Sequence, residues 1–139
     1  RRLVGALFLW GTGLSLLFAL AYALGGTALI ALFTDDVAVR RAAETFLPYA
    51  VAIPPISMAG FLLDGLFVGT TATSGMLIGV AAAAAGFFTV HTLLPATLGN
   101  HALWIAFLTY LALRGIVQGL QLPGIVRRSF ALTAQTARR

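Results

Sequence analysis

One carboxylate, Asp64, lies deep inside an apolar run, Pro54-Pro55-Ile56-Ser57-Met58-Ala59-Gly60-Phe61-Leu62-Leu63-Asp64-Gly65-Leu66-Phe67-Val68-Gly69-Thr70-Thr71. An ionised group in hydrocarbon is expensive, so it should face protein or a water-filled cavity and find a partner; such residues mark ion or substrate paths. On a helix, Ser57, Gly60, Asp64 and Thr71 fall at three- and four-residue spacings and share one small, polar face. Phe61, Leu62, Leu66 and Val68 take the other sides and suit lipid or apolar neighbours. Farther along, Tyr110, Arg114, Gln118 and Gln121 form a second polar stripe. Measured from the helix ends expected near Thr71 and Gln121, Asp64 and Arg114 sit at matching depth, roughly 10 Å in at about 1.5 Å per residue. Three readings stay open. The two charges pair, or Arg114 snorkels alone to the headgroups, or each meets a partner on a helix outside this chain. A carboxylate that couples ions must exchange H⁺ or hold Na⁺ alternately, which burial and a nearby cation adjust. A carboxylate that does not is a fixed pin between helices.

Other chemistries find little support. There is no cysteine, hence no disulfide frame and no thiolate metal site. His91 has no second His, Cys or acidic residue one turn away, so it reads as a hydrogen-bonded packing residue rather than a metal ligand. No Ser/His pair at workable spacing is present, so neither an enzyme nor a cofactor is expected.

The segments that must position these residues are membrane spans. The 139 residues are 60% hydrophobic and 9% charged, with mean hydropathy +0.97, whereas a soluble domain carries about a quarter charged residues. All nine basic residues are Arg, and pairs at Arg1-Arg2, Arg40-Arg41, Arg127-Arg128 and Arg138-Arg139 flank apolar runs instead of forming a basic face. The +5 charge therefore belongs to membrane topology, and no nucleic-acid partner is expected. The expected fold is an all-α membrane protein with transmembrane helices at about 3–33, 46–71, 74–97 and 101–126 and a short interfacial helix at about 35–45. Gly25-Gly26 weakens the first helix, and Thr34-Asp35-Asp36 supplies capping groups for the next. The charges of Arg40, Arg41 and Glu44 are expected to be solvated. Pro48, Pro54 and Pro55 predict a kink near Ile53. Gly75, Gly79, Ala82, Ala83 and Gly86 make a small-residue stripe that admits a close neighbour, and Gly115 with Gly119 makes another. Trp104 fits an interfacial anchor. Residues 129–139 read as a basic, disordered tail.

Four crossings place both ends on one side, and their Arg pairs make that side cytoplasmic. Against this, the turn after the second span has no basic residue, and Arg40-Arg41 falls outside, among Asp35, Asp36 and Glu44. The chain opens on Arg without a starting Met, and no small-residue cleavage site follows, so it is expected to begin inside a longer protein.

Four short matches in order, Leu32-Phe33-Thr34-Asp35-Asp36-Val37, Phe46-Leu47-Pro48-Tyr49, Leu63-Asp64-Gly65-Leu66-Phe67-Val68-Gly69-Thr70-Thr71, and Gly99-Asn100-His101-Ala102-Leu103-Trp104 with Ala112-Leu113-Arg114-Gly115, resemble the multidrug and toxic compound extrusion (MATE) family, most closely its DinF-like branch. The resemblance covers about residues 11–128. It implies the last four of twelve helices, in the C-terminal part of the second lobe (1–128), in a multi-pass protein of the inner membrane. It also implies export of cationic or amphipathic compounds in exchange for Na⁺ or H⁺ by alternating access, with the eight preceding helices as partners. The four-helix segment alone is then not expected to transport. In some branches an acidic residue matching Asp64 belongs to a cation site; in the DinF-like branch the coupling carboxylate usually lies in the N-terminal lobe. Relatives commonly carry basic residues in the turn after the Asp-Gly motif, where this chain has Ala72 and Met76-Leu77. Two other readings remain: a lipid-linked sugar flippase of the same superfamily, and a small structural membrane subunit with Asp64 and Arg114 as glue.

Overall fold

The computed structural model describes the backbone of residues 2–136 and the side chains of residues 4–125. It contains four long helices, α1 (Arg2–Phe33), α2 (Val37–Gly69), α3 (Thr73–Leu93) and α4 (Asn100–Thr136), and a 3₁₀ turn, Ala96–Leu98; no strand occurs among the described residues. Each long helix is apolar enough, over a sufficient length, to cross a membrane. The protein is an all-α membrane protein.

The helices stand in the order α1, α2, α4, α3. α1 packs on α2, α2 on α4 and α4 on α3, while α2 and α3 meet only slightly. Small residues set these contacts. Gly11 faces Met58 and Leu62, and Gly26 faces Leu47, which makes α1 and α2 antiparallel. Gly26 is thus a packing position inside a continuous helix, and the weak point expected at Gly25-Gly26 is absent. Gly75, Gly79 and Gly86 of α3 receive Gln121, Gln118 and Leu113 of α4, again antiparallel. Gly60 of α2 meets Gly115 of α4, and the two helices run parallel. Gly119, by contrast, is exposed, so it adds no close approach to that of Gly115.

The separate interfacial helix expected over 35–45 is the beginning of α2. Asp36 caps that helix by accepting from the N–H groups of Ala38 (2.7 Å) and Val39 (3.2 Å), and no helix breaker stands between Val37 and Pro48. α2 then runs unbroken through Pro48, Pro54 and Pro55. The charge of Arg40 is not merely solvated. Its guanidinium donates to the carbonyls of Ala31 (3.1 Å) and Thr34 (2.7 Å) and pairs with Asp35 (3.1 Å), closing the free carbonyl end of α1. At the other end, Thr71 takes a left-handed φ of 55° and reverses the chain into α3 within three residues. α3 stops at Leu93, short of the expected 97, because Leu94 turns extended before Pro95. α4 continues past 126, so the segment read as a disordered tail is helical as far as Thr136; residues 137–139 lie outside the described ones.

Candidate functional site

The Gly60–Gly115 approach determines what can happen one turn farther along. With no side chain on either residue, the α2 and α4 backbones come close enough that Asp64 and Arg114 span the gap. The Arg114 Nη2 donates to Asp64 Oδ2 in an ion pair. The Gln118 Nε2 donates to Asp64 Oδ1 at 2.6 Å. Both carboxylate oxygens are therefore occupied. The side chains of Asp64 and Arg114 keep only 14% and 17% of their exposure, and Gln118 keeps none. The Arg114 guanidinium also stands 5.5 Å from the centre of the Phe61 ring, so a cation–π contact supports it from the side of α2.

Apolar residues of the same helix bundle are buried along with this cluster. Leu63 and Phe67 of α2 are almost fully buried on either side of Asp64 in sequence, and Ala83 of α3 is fully buried too. Gly79 makes the room Gln118 needs, since a Cβ there would stand 2.9 Å from its Cγ. Three polar atoms in the cluster are buried without a hydrogen-bond partner: Arg114 Nε, Gln118 Oε1 and Gln121 Nε2. Toward the α2–α3 turn, Gln121 lines a cleft of about 530 Å³ together with Thr70, Thr71, Ser74 and Gly75.

The residues read from the sequence as cavity-facing separate into groups. Gln118 and Gln121 join the Asp64–Arg114 cluster directly or through the next turn. Gly60 is buried against the Gly115 backbone and the Arg114 side chain. Ser57 is buried and its hydroxyl donates to the Pro54 carbonyl at 3.4 Å, inside its own helix. Tyr110 stacks on Phe107 with ring centres 6.5 Å apart. Thr71 is exposed in the turn and lines the cleft. Pro54 and Pro55 lie within α2, more than two turns before Asp64. His91 does not hydrogen-bond as expected; its exposed ring stacks on Phe87. No group of three or more metal-binding side chains occurs among the described residues.

Sequence reading missed the far end of the α2–α4 contact. There Tyr49 Oη hydrogen-bonds His101 Nδ1 at 3.0 Å. Phe46 and Tyr49 stack on Trp104 with ring centres 6.0 and 5.8 Å apart. Trp104 is therefore a packing residue between helices as well as an aromatic near a span's start. The signal was the i, i+3 spacing of Phe46 with Tyr49 and of His101 with Trp104, which only the parallel register of α2 and α4 turns into one cluster.

No family model and no solved structure matches this chain. It is similar to a protein from Escherichia coli (strain K12), DNA damage-inducible protein F, with 42% identity over 114 residues. The match takes in 82% of this chain and 24% of that protein, so the chain spans about a quarter of that relative's length.

Proposed function

The chain belongs to the DinF-like branch of the MATE family, as a C-terminal portion of such a transporter, and we propose that it helps form a secondary antiporter of the inner membrane, with both its ends in the cytoplasm. The whole protein exports cationic or amphipathic compounds and takes up H⁺ or Na⁺ in return. The chain acts in transport and not as an enzyme.

The observation that carries this reading is the buried Asp64–Arg114–Gln118 cluster between two helices that touch through glycine. Protonating Asp64, or placing a cation beside it, cancels the charge that holds Arg114. In a low-dielectric site an arginine without its counter-ion is strongly disfavoured, so Arg114 must move, and with it the α2–α4 contact. A cationic cargo competes for the same carboxylate. One event thus makes ion binding and helix movement interdependent, which alternating access requires.

A second reading is favoured by the occupation of both Asp64 oxygens: the cluster is a static pin. The complete transporter containing this segment, reconstituted in proteoliposomes with a cationic dye as cargo, separates them. Asp64→Asn abolishes gradient-driven export and leaves the folded protein intact if Asp64 couples ions. Normal gradient-driven export by that variant dismisses the coupling role.

A further inference from the structure

Three buried polar atoms along one face of α4, Arg114 Nε, Gln118 Oε1 and Gln121 Nε2, have no protein partner. A buried amide or guanidinium atom left unpaired is costly, more so inside a membrane protein. Their chemistry is mixed, two donors and one acceptor. A bare cation needs acceptors and an anion needs donors; a small group that both donates and accepts, as water does, serves both.

We propose that the Gln118–Gln121 step of α4 binds water and forms a proton route between the α2–α3 turn and Asp64. Gln121 lines the cleft at that turn, beside Thr70, Thr71 and Ser74. Gln118 is three residues away on the same helix, where side-chain origins are about 5–6 Å apart, a span one or two waters bridge. A water between them accepts from Gln121 Nε2 and donates to Gln118 Oε1. Gln118 Nε2 already reaches Asp64 Oδ1 at 2.6 Å. Gly75 and Gly79 leave the space: a Cβ on either would stand 2.7 Å from Gln121 Oε1 or 2.9 Å from Gln118 Cγ. The fully buried Phe67 ring closes the direct way beside Gly75, which leaves the glutamine stripe as the polar passage.

Gln118 is suited to both states of its neighbour. Its Nε2 donates to the carboxylate. When the proton reaches Oδ1, one O–H bond of the hydronium in the water file breaks as the Oδ1–H bond forms, a neutral water is left behind, and the amide turns over so that its Oε1 accepts from the new O–H. The water site stands on the geometry alone, whereas the proton route rests on the antiporter reading.

The first test reads water and not transport. The complete transporter containing this segment, in lipid nanodiscs and with ¹⁵N-labelled glutamine and alanine, is examined by water-edited solid-state NMR, with Gln118→Leu and Gln121→Leu used for assignment. The expected result is magnetisation transfer from water to the Gln118 side-chain amide well above that to the buried Ala83 backbone amide, lost in Gln121→Leu. Transfer to Gln118 no faster than to Ala83 in the unsubstituted chain overturns the water site. If the water contact is present, H⁺-driven export by Gln121→Leu in the complete transporter decides the route. Slowed export with unchanged dye binding supports it, and wild-type export overturns it.

Discussion

A Cβ placed on Gly115 would stand 3.2 Å from the backbone nitrogen of Gly60 and 3.4 Å from the Cβ of Ala59, whereas a Cβ on Gly60 would find nothing nearer than 3.6 Å. The crossing is therefore lopsided: α2 has room for a methyl group and α4 has none to spare. Gly60→Ala is expected to be neutral or to stabilise slightly, because alanine is the better helix former by roughly 0.5–1 kcal/mol. Gly115→Val forces the helices apart and destabilises by about 1–3 kcal/mol, the usual range for overpacking. Thermal unfolding of both variants in one detergent checks the order.

The ion pair should behave as a unit. Removing one member of a buried pair costs about 3–5 kcal/mol, and replacing both by apolar residues is often close to neutral. Arg114→Leu is expected to lower stability markedly, and adding Asp64→Leu to restore much of the loss. A double-mutant cycle by denaturant unfolding reads the coupling directly. Independent, additive losses would sink the pairing as an energetic unit.

Gly79 carries a consequence for a residue on another helix. Gly79→Ala brings a methyl group to 2.9 Å from Gln118 Cγ and shifts that side chain away from Asp64. The expected cost is about 1–3 kcal/mol, and the Gly79→Ala, Gln118→Ala double variant should recover part of it. The same unfolding assay distinguishes this from a general cost of glycine-to-alanine replacement in these helices, since Gly65 of α2, which meets nothing within 4 Å, is the uncrowded control.

Arg40 joins the end of α1 to the start of α2. Arg40→Ala frees the Ala31 and Thr34 carbonyls, and a charged donor to such acceptors contributes about 1.5–3 kcal/mol when buried. The Arg40 side chain is 33% exposed, so the expected loss is nearer 1 kcal/mol. Hydrogen exchange should quicken at the amides of Thr34, Asp35 and Asp36 before it does elsewhere. Arg40→Lys, with a single point of donation, restores the protection only in part.

The spans were legible because hydrophobic length and the Asp36 cap are local properties of the chain. So was the shared face of Asp64 and Gly60, and that of Arg114 and Gln118, since helical spacing alone sets both. What the sequence left open was the register between helices. The Gly60–Gly115 meeting point brings Gln118 onto Asp64 and Tyr49 onto His101, and it depends on residues more than fifty positions apart. Helix ends are not legible where the chain has no breaker, as between Val37 and Pro48. The role of Arg40 was hidden for a similar reason: its partners are main-chain carbonyls, which carry no letter in a sequence.

The order α1, α2, α4, α3 is a palisade one helix deep. A palisade has two sides, and among the described residues the Asp64–Arg114 pair sits in the seam between two neighbouring posts. Whatever approaches Asp64 comes either along one flank of the fence or between two posts, at the glutamine stripe where α3 and α4 meet. Among the described residues the outermost post, α1, packs on α2, and its Tyr22 and Gly26 border the same hollow as Phe46 and Trp104, so it stands beside the aromatic end of the α2–α4 seam.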